Sequence, residues 1–444
     1  MIDLPAGRVA EAAGGRLRSG DAEAPGPVRA VVDSREVRPG DLFVGIAGDQ
    51  ADGGDFAEGA LTAGAWGAMV DPAHAARVST GDAAAGAAPV IEVVDPVAAL
   101  GALARGWRRE LGAEVVAITG STGKTSTKDI LAAMLSPQLS THANRENLNT
   151  EIGLPLSVLE AERGTQALVL EMAMRGKGQI AELTAIAEPD VGVIVNVGPV
   201  HLELLGTVER VAAAKAELIR DLRAGASCVV PAGERLLAEH LREDLDTLSF
   251  GPGGDVALLS YDAGHAEIEA RGEAIELELP YSEPHNLLNT LAAVGACTAL
   301  GVVAEGRVEP RFSSLRGEVV ELPGGVTVVN DCYNANPMSM EAALRHLADT
   351  PAKRRIAVLG TMGELGAGSP DYHREIGALA AELGVDVLVS VGAAAVPYAE
   401  AFDGDVHAVG EPEEARTLLE ELAQPGDRVL IEGSRSVGLE RVLA

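Results

Sequence analysis

ITGSTGKTST, residues 118–127, is the stretch that decides the fold. It follows the β-rich run EVVAIT and precedes TSTKDILAAMLS, whose apolar residues have helical spacing. A glycine-rich turn between a strand and a helix is the context of a phosphate-binding loop. The common form G-x-x-x-x-G-K-[ST] would need glycine where Ile118 stands, so the loop here is the shorter G-x-x-G-K-T that starts at Gly120.

The residue types in this loop suit phosphate binding. Gly120 and Gly123 let the backbone turn its N–H groups inward, and the following helix N-terminus adds positive potential. Lys124 can reach the outer phosphates of a nucleotide, and Thr125 can ligate Mg²⁺. An ordinary strand–helix turn that contains Gly-Lys-Thr is the alternative. The predicted nucleotide contacts in the loop are Gly120, Ser121, Thr122, Gly123, Lys124, Thr125 and Ser126.

Composition limits the classes of function. The 444 residues include 35 Lys and Arg against 66 Asp and Glu, a formal charge of −31, so no nucleic-acid partner is expected. No apolar run reaches the ~18 residues of a membrane span, and the N-terminus lacks the apolar core of a secretory signal. The cysteines, Cys228, Cys297 and Cys332, are far apart, which suits a reducing compartment. We therefore expect a cytoplasmic protein that is not inserted in a membrane.

Strand and helix patterns predict an α/β fold with three domains. Residues 1–98 mix short strands and helices and contain the loop STGDAAAGAAP, 79–89. Residues 99–311 repeat short apolar runs followed by helical patterns, which is typical of buried parallel strands. Residues 312–444 continue that style with VTVVND, RIAVLG, VDVLVSVG and DRVLIEG, which predicts a second open α/β sheet.

Several motifs resemble those of the Mur ligase superfamily, which includes the peptidoglycan precursor ligases and the folylpolyglutamate synthases. The short loop resembles their T-G-x-x-G-K-[TS], and PHNLLNTLAA, 284–293, resembles their H-N-x-x-N-x-x-A-A helix. Residues 167–219 resemble their central domain. The resemblance covers nearly the whole chain and is weakest over about 49–98 and 225–283. It implies an N-terminal UDP-sugar-binding domain, a central P-loop ATPase-like domain with a parallel sheet, and a C-terminal Rossmann-like domain that binds the incoming amine and part of ATP.

The resemblance also implies a set of catalytic and metal-binding residues around the loop. Glu171 ends the strand ALVLE and His201 follows VGVIVNV, at the sheet edge where α/β proteins hold ligands. The matching family residues reach Mg²⁺, whereas a loop acid and a hydrogen-bonded loop histidine are the plain alternatives. Lys215 matches a lysine that several relatives carry as a carbamate; an unmodified helix lysine is the alternative. Implied cofactors are ATP and two Mg²⁺ ions; the implied catalytic residues are Lys124, Glu171, His201 and Lys215, and the implied metal ligands are Thr125, Glu171, His201 and carbamylated Lys215.

Further contacts follow from the same matches. Those implied for the nucleotide are Asn286 beside the adenine, Asn289 on the same helix face, Arg316 at the phosphates and Asp331 at the ribose. Those implied for the other substrates are Ser34, Arg35, Asn149, Thr150, Tyr333, Asn334, Asn336, Arg435 and Ser436; the first two lie in DSREVRPGDLFVGIAG, 33–48, which matches the segment that holds the UDP-sugar.

The resemblance implies an ATP-dependent ligase of peptidoglycan precursor synthesis. ATP would phosphorylate a carboxylate, and an amine would attack the acyl phosphate to give an amide, ADP and phosphate. The implied substrates are the small molecules UDP-N-acetylmuramoyl-tripeptide and D-alanyl-D-alanine, and a monomer is expected.

The sequence departs from the family pattern at four places. Ala173 replaces a usual glycine, Pro199-Val200 a usual Glu-Ala, Thr361 a usual aspartate and Glu432 a usual lysine. Thr361 and Glu432 lie in the C-terminal domain, which the resemblance implies binds the incoming amine. Three alternatives therefore stay open: a superfamily ligase with another amine or acceptor, including a folylpolyglutamate synthase-like enzyme; a P-loop regulator that binds ATP without ligating; and a non-catalytic scaffold.

Overall fold

The computed structural model describes residue 2 and residues 4–78, 88–145, 147–313, 315 and 317–443. Most of the predicted loop 79–89, and Arg316, lie outside these residues. The described chain forms three α/β units in sequence order, each built on its own sheet, which confirms the predicted fold class. Within this part of the chain, no helix has the length and apolarity needed to cross a bilayer.

The N-terminal unit is a five-stranded sheet flanked by short helices. Its strands are β1 (Arg16–Ser19), β2 (Ala30–Val31), β3 (Leu42–Val44), β4 (Gly67–Val70) and β5 (Val90–Glu92). Its helices are α1 (Ala6–Ala12), α2 (Ala57–Thr62) and α3 (Pro72–Arg77). The strand order is β1-β5-β4-β3-β2; only β1 runs antiparallel to its neighbour.

The central unit carries a ten-stranded sheet. Its strands are β6 (Glu114–Thr119), β7 (Thr141–Ala143), β8 (Ala167–Glu171), β9 (Val191–Ile194), β10 (Ser227–Pro231), β11 (Asp246–Phe250), β12 (Val256–Asp262), β13 (His265–Ala270), β14 (Glu273–Glu278) and β15 (Gly306–Arg307). Its helices are α4 (Pro96–Leu111), α5 (Lys124–Leu135), α6 (Gly153–Glu160), α7 (Gln179–Ala187), α8 (Leu202–Leu205), α9 (Val208–Lys215), α10 (Glu217–Asp221) and α11 (Pro284–Ala299).

The middle of this sheet is parallel and buried on both faces. The strand order is β15-β14-β13-β12-β11-β10-β9-β6-β8-β7, and β7 to β12 pair in parallel. Along β6, Val115 and Ala117 face one core and Val116 and Ile118 face the other. Because both faces of these strands are buried, their sequences are unbroken runs of apolar residues.

The antiparallel part of the central sheet was not predicted. β12, β13 and β14 pair as successive antiparallel neighbours. Glutamates alternate with apolar residues along β13 and β14, so only one side of each strand is buried. This period-two pattern was a usable signal.

The predicted domain boundaries fall at two different kinds of position. The boundary at 98/99 falls inside α4, and the boundary at 311/312 lies between β15 and the next sheet. Both boundaries stay predictions.

The C-terminal unit is a six-stranded sheet between two helical layers. Its strands are β16 (Glu318–Leu322), β17 (Val326–Asp331), β18 (Arg354–Gly360), β19 (Val387–Val391), β20 (Asp405–Val409) and β21 (Asp427–Glu432). Its helices are α12 (Pro337–Asp349), α13 (Ser369–Glu382), α14 (Val396–Ala401) and α15 (Pro412–Leu422). The order is β16-β17-β21-β18-β19-β20, antiparallel only at β16.

Candidate nucleotide and metal site

The loop between β6 and α5 is folded by contacts to β9 and the residues after it. Oδ1 of Asn196 accepts hydrogen bonds from the backbone N–H groups of Ser121 and Thr122, each at 2.9 Å. Nδ2 of Asn196 donates to the hydroxyl of Thr122 at 2.7 Å. Asn196, which sequence reasoning missed, therefore fixes the first half of the loop and turns its second half toward the helix.

The N-terminus of α5 is open to an anion. Gly123 precedes the helix with φ +73°, and no side chain of the described residues caps this end. The first N–H groups of a helix have no intrahelical acceptor, so they are available to phosphate oxygens. The ammonium of Lys124 curls back to the carbonyl of Gly120 at 2.9 Å, which holds it over the loop. This geometry suits the phosphate cradle that the sequence predicts, and phosphate binding by these residues stays a prediction.

Thr125 and Glu171 are brought together at the buried side of the loop. The hydroxyl of Thr125 donates to Oε2 of Glu171 at 2.7 Å, and Nδ2 of Asn149 donates to Oε1 at 2.9 Å. Asn144 exchanges hydrogen bonds with the backbone of Glu171 and so fixes the end of β8. A hydroxyl and a buried carboxylate side by side form the hard oxygen pair that Mg²⁺ prefers beside phosphates.

His201 follows β9 at the same sheet edge and contacts the C-terminal unit. Its Nδ1 hydrogen-bonds Oε2 of Glu364, and Nε of Arg175 lies 3.4 Å from Oε1 of Glu364. Burial lowers the pKa of His201, although the Glu364 carboxylate opposes this shift. The net shift favours the neutral imidazole, which is the form that binds a metal.

Lys215 ends α9 behind the loop and is fully buried. No described residue forms a hydrogen bond or ion pair with its ammonium group. Burial, and to a smaller extent the charge of Lys124, hold the pKa of Lys215 well below its usual range. Such a lysine is easily deprotonated and becomes a nucleophile toward CO₂.

A cavity of about 660 Å³ lies between the central and C-terminal sheets and opens onto the loop. Gly120 is outside its lining, whereas the other six predicted loop residues line it. Asn286 and Asn289 line it from α11, and Nδ2 of Asn289 donates to Oδ1 of Asn286 at 3.3 Å. Asp331, Asn334 and Asn336 line it from the C-terminal unit. Residues from three distant stretches thus share one nucleotide-sized space.

Two of the cavity residues make structural contacts that were not predicted from the sequence. Oδ1 of Asn336 accepts from the N–H groups of Met338 and Ser339, so this side chain caps α12. Oδ1 of Asn289 lies directly over Gly123. Both side chains hold the walls of the cavity in place.

The remaining predicted substrate residues lie outside this cavity. Arg35 is exposed and pairs with Asp33 at 2.5 Å, next to Ser34 on the N-terminal unit. Arg435 is exposed beside Ser436 after β21, and it pairs with Glu440 at 3.0 Å. The other predicted residues away from the cavity are Asn149 and Thr150, before α6, and Tyr333, after β17. Their roles, like that of Arg316, stay predictions.

Comparisons with known proteins agree with this geometry. Residues 118–297 match the model of the Mur ligase middle domain, residues 315–435 that of the Mur ligase glutamate ligase domain, and residues 31–108 that of the Mur ligase family catalytic domain. A UDP-N-acetylmuramoyl-tripeptide–D-alanyl-D-alanine ligase from Synechocystis is 35% identical over 93% of this chain and 90% of its own. The chain belongs to the Mur ligase family.

Solved Mur ligase structures share the whole architecture. MurF from Acinetobacter baumannii superposes with a TM-score of 0.86 at 28% identity, covering 99% of this chain and 98% of its own. MurF from Thermotoga maritima in complex with ADP gives 0.80 at 34% identity, covering 94% and 96%. The predicted resemblance is confirmed, and ATP use by this Mur ligase is supported by the ADP complex of its relative.

One departure from the Mur ligase pattern places a buried carboxyl group beside the half-buried Asp331. Glu432 on β21 is in direct register with Asp331 on β17, so their side chains lie on the same sheet face. Glu432 is completely buried, and neither carboxyl oxygen has a hydrogen-bond partner among the described residues. Burial first, and Asp331 second, raise the pKa of Glu432 well above its usual range. This shift favours the protonated, neutral form of Glu432, and its side chain is shielded from solvent.

Proposed function

We propose that this chain is an ATP-dependent ligase that joins D-alanyl-D-alanine to UDP-N-acetylmuramoyl-tripeptide in peptidoglycan precursor synthesis. One observation carries the proposal: relatives with this activity in their names match at 30–35% identity along more than nine-tenths of this chain. The phosphate cradle beside Thr125 and Glu171 supports the ATP half of the reaction.

The chain's own residues account for carboxylate activation. The uncapped N-terminus of α5 and Lys124 would hold the β- and γ-phosphates of ATP. An oxygen of the substrate carboxylate would attack the γ-phosphorus, the bond to the ADP oxygen would break, and an acyl phosphate would form. The amine nitrogen would then attack the acyl carbon, lose a proton and expel phosphate. Lys124, Lys215 and His201 are close enough to influence one another's charge, and Lys124 is the cation that would face the two anions where they meet.

Mg²⁺ fits the residues that are present. The described residues contain no cluster of three or more His, Cys, Asp or Glu side chains suited to a metal ion. Mg²⁺ needs no such cage, because it usually takes one or two protein ligands and completes its shell with phosphates and water. Thr125 and Glu171 would hold one ion, and His201 would hold a second ion together with a carbamate on Lys215. Bound Mg²⁺ would supply charge neutralisation at the phosphates.

The buried Lys215 supports the carbamate. A neutral amine can add to CO₂ and release a proton, which converts the amine into an anionic oxygen ligand. Neighbouring positive charge from Lys124 favours the anion.

We further propose a cytoplasmic monomer with domains at 1–98, 99–311 and 312–444. The proposed substrates are charged small molecules, and one chain carries the proposed cradle, the proposed metal ligands and the cavity together. The N-terminal residues Ser34 and Arg35 would contact the UDP-sugar. Asn149, Thr150, Tyr333, Asn334, Asn336, Arg435 and Ser436 would contact the acceptor peptide or the amine, and Arg316 the phosphates.

An isotope experiment tests the acyl-phosphate route. The tripeptide acceptor is labelled with ¹⁸O in its terminal carboxylate and ligated with unlabelled ATP. The route predicts one ¹⁸O atom in each released phosphate, because the carboxylate oxygen that attacks phosphorus leaves with it. Phosphate without label would contradict the route while leaving the ligase assignment to be judged by product formation.

A further inference from the structure

Two non-glycine residues with left-handed backbone meet across the boundary between the central and C-terminal sheets. His201 precedes α8 with φ +54°, and Glu364 follows β18 with φ +62°. Such conformations are strained for residues with a side chain and persist only where surrounding contacts enforce them. The hydrogen bond from Nδ1 of His201 to Oε2 of Glu364 joins these two residues directly.

Backbone contacts also hold this junction, the place where the segment around His201 meets the segment around Glu364. The N–H of Glu203, at the start of α8, donates to the carbonyl oxygen of Glu364 at 3.1 Å. A Cβ built on Gly366 would lie 3.2 Å from Cα of Glu203. The backbone segments that contain these two residues therefore touch without side chains between them. Deeper in the interface, a Cβ on Gly198 would lie 1.9 Å from Sδ of Met338. The side chain of Glu364 is therefore presented to His201 by a fixed backbone.

We infer that Glu364 is a positioning residue that orients His201 for Mg²⁺ and so links docking of the C-terminal unit to assembly of the metal site. This inference rests on the proposed function. Because Nδ1 is engaged by Glu364, Nε2 is the nitrogen available to a metal. Metal-binding histidines commonly give their other N–H to a carboxylate, which fixes the ring and raises its basicity.

Glu364 follows a strand of the C-terminal sheet, whereas His201 follows a strand of the central sheet. His201 and Glu364 are 163 residues apart in sequence, and they meet only when the two units are docked. Undocking would leave the imidazole free to rotate away from the phosphates. The second oxygen of Glu364 faces Arg175, a central-unit residue, so the carboxylate is held from two directions.

A simple surface ion pair would behave differently. The side chains of Glu364 and Arg175 are 38% and 74% exposed. Ion pairs this exposed contribute little to stability, so removing one that had no other role would leave the metal dependence of the reaction unchanged.

The test is the Mg²⁺ dependence of ligation by the full chain with ATP, tripeptide acceptor and D-alanyl-D-alanine. Glu364→Ala should raise the Mg²⁺ concentration for half-maximal rate by about 10–100-fold, with the KM for ATP at saturating Mg²⁺ nearly unchanged. Glu364→Gln keeps an acceptor oxygen and should recover part of this loss. Glu203→Ala removes an exposed carboxylate beside the same junction and should match the wild type.

A second readout needs no turnover. In the presence of ADP, binding of Mn²⁺ followed by electron paramagnetic resonance should weaken in Glu364→Ala and stay normal in Glu203→Ala. Wild-type Mg²⁺ and Mn²⁺ dependence in Glu364→Ala would overturn the inference, as would an equal loss of rate at every Mg²⁺ concentration. If Glu364→Ala does not fold, the same criteria apply to Glu364→Gln. A wild-type chain that forms no amide would overturn the proposed function itself, and the inference with it.

Discussion

Gly123 and Asn289 touch across the nucleotide cavity: a Cβ built on Gly123 would lie 2.4 Å from Oδ1 of Asn289. Gly123 also has φ +73°, which side chains rarely adopt. The contact sets the position of α11 against the loop between β6 and α5, so the cavity residues on these two elements are held at a fixed separation. Both restrictions require glycine at position 123.

Gly123→Ala is therefore expected to abolish ATP binding, measured by titration calorimetry with ATP or ADP. Gly164→Ala is the matched control, because Gly164 has φ +90° but nothing within 4 Å of its added Cβ. Backbone strain alone should cost the control about 1 kcal/mol of folding free energy and leave nucleotide affinity intact. Equal loss of affinity in both variants would show that the Asn289 contact is irrelevant.

Lys124→Ala should abolish turnover and leave the fold intact, because it removes the cation aimed at the outer phosphates. We expect a fall in kcat of about 10³-fold or more, with an unchanged circular dichroism spectrum and melting temperature. Lys353→Ala, at an exposed lysine of the C-terminal unit, serves as the charge-matched control. Ligation by Lys124→Ala at the wild-type rate would refute the phosphate-cradle interpretation.

The local parts of this structure could be predicted from the sequence, and the tertiary contacts could not. The cradle was predictable because strand, glycines, lysine and helix are contiguous in residues 114–135. Asn196 and Glu364 were missed because they meet their partners from 75 and 163 residues away. The antiparallel strands β13 and β14 were missed because the prediction rested on continuous apolar runs, whereas these strands alternate exposed glutamates with apolar residues.

Lys215 should carry a carbamate when CO₂ is present. Because burial holds the pKa of Lys215 well below its usual range, the neutral amine that reacts with CO₂ is favoured over the ammonium. ¹³C NMR of the enzyme in ¹³C-bicarbonate should show a carbamate resonance that is missing from Lys215→Ala. That variant should be inactive and partly rescued by short carboxylic acids, which replace the lost oxygen ligand. Full activity of Lys215→Ala without a resonance in the wild type would contradict the modification.

Glu432 should make stability fall as pH rises. Its folded-state pKa lies well above the unfolded value, so the folded form binds an extra proton. This contribution is fully present below the unfolded pKa of about 4.3 and is lost as pH rises through the folded pKa. Glu432→Gln, a neutral isostere, should raise the apparent Tm by about 2 °C or more at pH 8.5 and change it little at pH 5.

The exposed Glu421 offers the control for this measurement. Glu421→Gln should leave the apparent Tm within about 1 °C of the wild type at both pH values, because surface substitutions rarely change stability. A Glu432→Gln variant whose difference from the wild type is the same at pH 5 and pH 8.5 would mean that Glu432 is ionised in the folded protein.

Amine-dependent phosphate release tests the central claim most directly. The chain is mixed with ATP, Mg²⁺ and UDP-N-acetylmuramoyl-tripeptide, and phosphate is measured before and after D-alanyl-D-alanine or another amine is added. We predict phosphate release only with D-alanyl-D-alanine, together with one equivalent of the pentapeptide product. Phosphate release with a different amine would still support the ligase chemistry. The changed amine specificity would then be attributed to Thr361 and Glu432. ATP hydrolysis that is independent of every amine would contradict the account and favour a P-loop regulator.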